Sequence, residues 1–251
     1  MTNPIERQEH YRQHGYFHVP NFYSANAIDE LKVVIERFHQ RWIQEHLAFY
    51  QDKAVNSAYL TCPPLLDADD RLTLFRWITD EGLVKAVQGI FPDRMAFMNT
   101  QLFFDPNNPQ QKNYWHRDPQ YHLSLQEQRE SLENHNVIHC RIPLYDEPGI
   151  ELVPGSHQRW DSQEELNVRL EKDGACNFDD LSTGLELPLN AGDLLVFSAN
   201  MIHRGLYGNN RLSLDILFCD HHPELLKHRN SDCLPDELML TKLKHNEVFA
   251  E

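Results

Sequence analysis

Downstream of Ser24, apolar side chains recur at steps of three and four: Ile28, Leu31, Ile35, Phe38 and Trp42. That spacing places them on one face of an amphipathic helix, with Ser24 positioned to cap its first turn. The stretch before it, GYFHVPNFYS (15–24), predicts a short extended segment running into the helix. A second helical stretch is expected around Leu83–Gln88. From Met95 the rhythm shortens, and segments of alternating or continuous apolar character are punctuated by Pro, Gly and Asn. MAFMNTQLFF, NVIHCRIPLY, IELVPG, LELPL, DLLVFSA and RLSLDILF are predicted strands. The inserts SLQEQRESL and DSQEELNVRL are expected to be helical or loop-like and solvated, and PDELMLTKLKHNEVF to form a last helix. Strand follows strand without a βαβ rhythm, which predicts an antiparallel sandwich or barrel. The fold class is therefore mainly β with helical decoration: a jelly-roll, cupin-like core with N-terminal helices on one sheet. One domain over 1–251 is expected, helical over about 1–92, jelly roll over about 93–220, with a helical tail over about 221–251.

Composition narrows the function. Hydrophobic residues make up 41% and charged residues 24% of the 251, as in an ordinary globular protein. The formal charge of −15 repels phosphate backbones and anionic membrane surfaces, so neither nucleic acid nor membrane is an expected partner. No apolar run approaches the roughly 20 residues needed to span a bilayer, and MTNPIERQEHYR lacks a signal-peptide core. Five widely spaced cysteines without a CxxC pair are expected to be reduced thiols, and the protein cytoplasmic.

The candidate chemistry begins in NYWHRDPQ (113–120). Alternation along a strand would turn His116 and Asp118 to the same side. A His and a carboxylate aimed at one point are two-thirds of a common iron site. The third part is available in DLLVFSANMIHRGLYGNNRLSLDILF (193–218), where His203 follows a strand. Gly205, Gly208, Asn209 and Asn210 then supply turn chemistry for a hairpin. On the returning strand Arg211, Ser213 and Asp215 share one face, and Leu212, Leu214, Ile216 and Phe218 the other. The apolar face calls for helical cover, which leaves a polar lumen carrying Arg211. Two imidazoles and one carboxylate occupy one face of Fe(II) and leave three positions open for O₂ and a chelating cosubstrate. An Arg at a distance suits the far carboxylate of 2-oxoglutarate, because its planar fork binds both oxygens and is always charged.

These segments resemble the phytanoyl-CoA dioxygenase-like branch of the Fe(II)/2-oxoglutarate oxygenases. The resemblance runs through GYFHVPNFYS, WHRD, VPGSH (153–157), AGDLLVFSANMIHRG and NNRLSLDILF. It implies a metal triad of His116, Asp118 and His203, a cosubstrate-binding Arg211, and a single hydroxylating oxygenase domain acting on a small molecule. Two departures stand out. Pro148 occupies a position where many members have Gly, and TQLFFDPNN (100–108) contains no Lys where many members carry one. Related halogenases replace the triad carboxylate with a small residue to admit chloride; Asp118 is intact, which favours hydroxylation.

Other residues carry two readings each. Ser213 is a second donor to the far carboxylate or a plain strand serine. Gln101 lies on a strand upstream of the ligands and could touch cosubstrate. His139 and Arg141 alternate on one face of NVIHCRIPLY, either facing substrate and cosubstrate or lying on a polar outer surface. His157 is a turn residue or a group behind the site, the pair His221–His222 is expected to be solvated, and DADD (67–70) a solvated loop or helix start. A cupin-like metalloenzyme without 2-oxoglutarate and a non-catalytic jelly-roll binding protein remain open alternatives.

Overall fold

The computed structural model describes residues 3–250. Nine helices of at least one α-turn are present among them: α1 (Pro4–His14), α2 (Ala25–Glu45), α3 (Leu47–Asp52), α4 (Ala68–Ile78), α5 (Glu81–Val87), α6 (Leu125–Asn134), α7 (Gln163–Arg169), α8 (Pro223–Leu226) and α9 (Glu237–Leu240). The strands are β1 (Tyr16–Val19), β2 (Asn56–Ala58), β3 (Met95–Phe104), β4 (Val137–Pro143), β5 (Glu147–Leu152), β6 (Leu185–Leu189), β7 (Leu194–Ser198), β8 (His203–Gly205) and β9 (Leu212–Asp220). None of the described helices is long and apolar enough to cross a membrane.

Two antiparallel sheets face each other, one ordered β1-β7-β4-β9-β3-β2 and the other β6-β5-β8. This is the jelly-roll core that the alternating segments predict. The apolar stripe of α2 buries Ile28, Leu31, Ile35 and Phe38 to 2% exposure or less. These side chains join Leu212, Leu214, Ile216 and Phe218 of β9 and Leu74, Phe75, Leu83 and Val87 of α4 and α5 in one core. The helices thus cover the outer face of the larger sheet, and complete burial of a side chain such as Phe38 contributes about 1.5–3 kcal/mol. A second cluster, with Ile150, Leu152, Leu195 and Phe197, fills the space between the sheets.

Several elements differ from the sequence reading. The pattern did not predict α1, because only Tyr11 is buried on it; caps hold it instead, with Asn3 accepting from the Ile5 N–H and Gly15 at φ +84° closing its end. The DADD segment does begin a helix, with Asp67 as cap, but Asp70 is buried and paired with Arg37. The insert carrying α7 is only partly solvated: Glu165, Val168 and Arg169 are buried. The predicted last helix shrinks to α9, followed by turns that seat Val248 and Phe249 in the core.

Strand and cysteine pairing both depart from the local pattern. β8 and β9 form no hairpin: β8 pairs with β5, while β9 pairs with β3 and β4 in the other sheet. The turn between them, with Gly208, Asn209 and Asn210 all at positive φ, crosses from sheet to sheet. Cys62 and Cys233 are joined in a disulfide with Cα atoms 4.1 Å apart, whereas Cys140, Cys176 and Cys219 are free. Cysteine spacing could not show this pair, since 171 residues separate its members and only the fold brings them together. Gly149 in β5 sits at φ +86° in an irregularity of the β5–β6 ladder, where a Cβ would fall 1.9 Å from the Leu187 carbonyl oxygen.

Candidate metal centre

The segment Trp115–Asp118 lies along the open edge of the smaller sheet. The His116 N–H donates to the His203 carbonyl at 3.0 Å, and the His203 N–H returns the bond at 2.9 Å. The two histidines are therefore directly opposite, and antiparallel pairing carries their side chains to the same side. Asp118 is not on a strand. It opens a short helical turn, and its N–H donates to the Ala199 carbonyl at 3.1 Å, which swings its carboxylate toward both imidazoles. Asp118 Oδ1 lies 3.5 Å from His116 Nε2 and 3.6 Å from His203 Nε2. One ligand atom from each residue falls within 4.8 Å of the others.

Hydrogen bonds set which imidazole nitrogen is free. Nδ1 of His116 faces the Tyr114 carbonyl at 3.1 Å, and Nδ1 of His203 faces the Met201 carbonyl at 3.0 Å. Against a carbonyl, Nδ1 can only donate, so each Nε2 keeps its lone pair for the centre. Burial, reinforced by His116, lowers the His203 pKa to about 3 and keeps that ring neutral.

The carboxylate is held from behind. His139 Nε2 donates to Asp118 Oδ2 at 2.6 Å, and His139 Nδ1 donates to Asp215 Oδ2 at 2.9 Å. Arg141 clamps Asp215 through Nε at 2.8 Å and Nη2 at 2.9 Å. Burial opposes a charge on His139, but the Asp118 carboxylate and then Asp215 outweigh it and raise its pKa to about 9. The same cation holds the Asp118 carboxyl well below the usual range against its own burial. The two readings of His139 and Arg141 are thereby resolved: both face inward, at 1% and 2% exposure. Neither a lone His nor a strand Arg signals this, because the partner Asp215 lies more than 70 residues away on a neighbouring strand.

Arg117, between the two ligands in sequence, points the opposite way and is 1% exposed. It reaches Asp161 and the Ser156, Asn200 and Arg159 carbonyls, and Asp161 is bound in turn by Arg169 of α7. Trp115, fully buried, donates its indole N–H to the Asp179 carbonyl at 3.0 Å. These anchors fix the strap that carries His116 and Asp118. No local pattern in the sequence singles them out.

The three groups open onto a cavity of about 880 Å³ that also takes in Gln101, Phe103, Tyr114, Tyr121, Tyr207 and Arg211. Gln101 lies opposite Asp215 in the β3–β9 register. Arg211 is 3% exposed and has no hydrogen-bond partner at Nε or Nη2. Its place in the same cavity as His203 follows from the sheet-to-sheet crossing after β8. Ser213 lies behind the cavity wall, and its hydroxyl donates to Glu147 Oε2 at 2.7 Å rather than into the cavity. Glu147, which carries no signal in the sequence, is 3% exposed and 3.6 Å from Arg211 Nε. His157 packs against Tyr11 and Gly15 and takes no part in the lining; burial lowers its pKa to about 4. Two imidazole nitrogens and one carboxylate oxygen, facing a cavity with room for further ligands, are a donor set that fits ferrous iron.

Comparison with known proteins places the fold and the family. The iron-bound structure of HygX from Streptomyces hygroscopicus is 14% identical, with 86% of each chain covered and a TM-score of 0.62. AviO1 from Streptomyces viridochromogenes Tue57 is 20% identical over 88% of this chain and 96% of that one, with a TM-score of 0.60. The non-haem alpha-ketoglutarate-dependent epimerase SnoN of nogalamycin biosynthesis is 16% identical over 86% and 82%, with a TM-score of 0.57. No curated protein sequence matches. At these identities the likeness is one of fold. The model of the phytanoyl-CoA dioxygenase family, however, matches residues 11–210, from the end of α1 to the turn before Arg211. The chain belongs to the phytanoyl-CoA dioxygenase family and is a non-haem iron, 2-oxoglutarate-dependent enzyme.

Proposed function

We propose that the protein hydroxylates an unactivated C–H bond of a small-molecule metabolite, with release of succinate and CO₂. The observation that carries the reading is the meeting of His116 Nε2, His203 Nε2 and Asp118 Oδ1 at the wall of a cavity that also holds Arg211. His116, Asp118 and His203 would hold the metal. Arg211 would bind the far carboxylate of 2-oxoglutarate, with Gln101 within the same cavity. Bound iron, with 2-oxoglutarate and O₂, supplies the oxidising power that C–H cleavage requires.

The chain's own contribution is orientation and exclusion. His139 occupies Asp118 Oδ2, so the carboxylate is offered through Oδ1 alone, which keeps positions free for other ligands. The Nδ1 bonds of His116 and His203 hold both rings in one tautomer and direction. Phe103, Tyr114, Tyr121 and Tyr207 wall the cavity and limit water around a substrate. The intact Asp118 carboxylate fills the place that a halide would need, which supports oxygen as the atom transferred.

The test is direct. Anaerobic protein with Fe(II) and 2-oxoglutarate should develop a visible charge-transfer band and release succinate when air is admitted, and His116→Ala should do neither. A substrate found by succinate-release screening should yield a product heavier by one oxygen atom. Coupled succinate release with a product of unchanged mass would replace hydroxylation with an outcome of the kind SnoN is named for.

A further inference from the structure

Arg211 already has a buried anion beside it. Glu147 Oε2 accepts from Ser213 and lies 3.6 Å from Arg211 Nε, while Oε1 has no hydrogen-bond partner. The groups around Glu147 form a closed charge set. Arg211, Ser213 and Asp215 face it from β9 and its approach, and Arg141 faces it from β4. Its register partner on β6 is the uncharged Leu189. Tyr207 also acts on Arg211, and Asp105 is bonded to the Arg211 and Gly208 backbone N–H groups. Asp215 is fully committed to His139 and Arg141. Arg141 is thus balanced by Asp215, which His139 shares, and Arg211 by Glu147, the carboxylate 3.6 Å from its Nε.

A second carboxylate brought to Arg211 upsets that balance. Two carboxylates sharing one guanidinium in a desolvated site cannot both remain charged without cost, and the usual outcome is that one of them binds a proton. Asp215 is the poor candidate, since three charge-assisted hydrogen bonds hold it ionised. Glu147, with one oxygen free of any bond, is the good one.

We propose that Glu147 is a proton-linked counter-ion of Arg211, taking up one proton from solvent when the far carboxylate of 2-oxoglutarate takes over the Arg211 charge. The inference rests on the reading of Arg211 as the cosubstrate's anchor. Burial, opposed by Arg211 and Arg141, already raises the Glu147 pKa above the ordinary carboxylate value, which brings this protonation closer to neutral pH. Affinity for 2-oxoglutarate is then greatest where Glu147 protonates readily. It falls toward tenfold per pH unit once the free protein holds Glu147 ionised.

The experiment is calorimetric titration of 2-oxoglutarate into the Zn(II)-loaded protein, in two buffers of different ionisation enthalpy, from pH 7 to 8.5. Proton exchange at the metal is common to wild type and Glu147→Gln, so the difference between them is the readout. Wild type should take up close to one proton more than Glu147→Gln. The variant should bind about tenfold tighter at the upper end of the range, with a flat pH profile. Equal proton counts and parallel pH profiles would overturn the proposal while leaving the cosubstrate site intact. Absence of 2-oxoglutarate binding in both proteins would instead overturn the cosubstrate reading. Should the variant fail to fold, a wild-type affinity for 2-oxoglutarate that does not fall between pH 7 and 8.5 still refutes the inference.

Discussion

Replacing His139 with Leu removes the one cation wedged between Asp118 and Asp215. Two charge-assisted hydrogen bonds are lost, at 2.6 and 2.9 Å, each worth about 1.5–3 kcal/mol. The two carboxylates respond differently. Asp215 is fully buried but keeps both bonds from Arg141, whereas Asp118 is 31% exposed to the cavity and can recover water. The larger penalty of an orphaned buried charge is thus avoided, and we expect the metal-free protein to lose about 3 kcal/mol. A chain of this size should then melt roughly 6–12 °C lower. The same two contacts, expressed through the His139 charge, raise its pKa from 6.5 to about 9, which corresponds to about 3 kcal/mol. Because the folded-state pKa is the higher one, this stability is complete below pH 6.5 and disappears as pH rises through about 9. His139→Leu should therefore close the gap to wild type as pH rises, in thermal melts of chelator-treated protein. In Co(II) titrations it should also weaken metal binding by about 10- to 100-fold, since Asp118 loses its fixed orientation. A melting point within 2 °C of wild type at pH 6, together with metal affinity changed less than about twofold, would refute the reasoning.

Arg211→Gln should raise the 2-oxoglutarate concentration for half-maximal succinate release by roughly 10- to 100-fold, while Co(II) affinity stays near wild type, because Arg211 is not one of the three groups whose ligand atoms converge. Equal loss in both measurements would place Arg211 in the structural framework instead. Gly149→Ala forces a Cβ to within 1.9 Å of the Leu187 carbonyl oxygen at φ +86°, so β5 must shift; a loss of about 2 kcal/mol or more should appear in urea denaturation. Glu165 is buried, yet bonds from Arg159, Ser162 and Thr183 overcome that burial and lower its pKa to about 2. Its contribution is complete above pH 4.5 and is lost as pH falls through about 2, so Glu165→Gln should flatten the acid limb of the stability profile in that window.

Local pattern carries a good deal of this molecule. The stripe Ile28–Trp42 specifies both a helix and its buried face, and the alternation on β9 separates Leu212, Leu214, Ile216 and Phe218 from Arg211, Ser213 and Asp215. The short interval between His116 and Asp118 confines them to one neighbourhood whatever the rest of the chain does. A period of two says which residues share a face, however, and not which strand lies alongside or what stands opposite. So the crossing of β8 and β9 into different sheets had to come from the fold, and with it the approach of His203 to His116 and of Arg211 to the same cavity. The groups that hold the centre are hidden in the sequence for the same reason. His139, Asp215 and Arg141 come from two strands, Arg117 and Asp161 from a strap and a distant loop, and Glu147 and Arg211 from β5 and the turn before β9. Cys62 and Cys233 meet across 171 residues. Donor types and the faces that present them are local properties, legible along the unfolded chain. Which donors meet, which charges neutralise one another and which atoms stay free are sums over long-range contacts, and they exist only once the strands have paired.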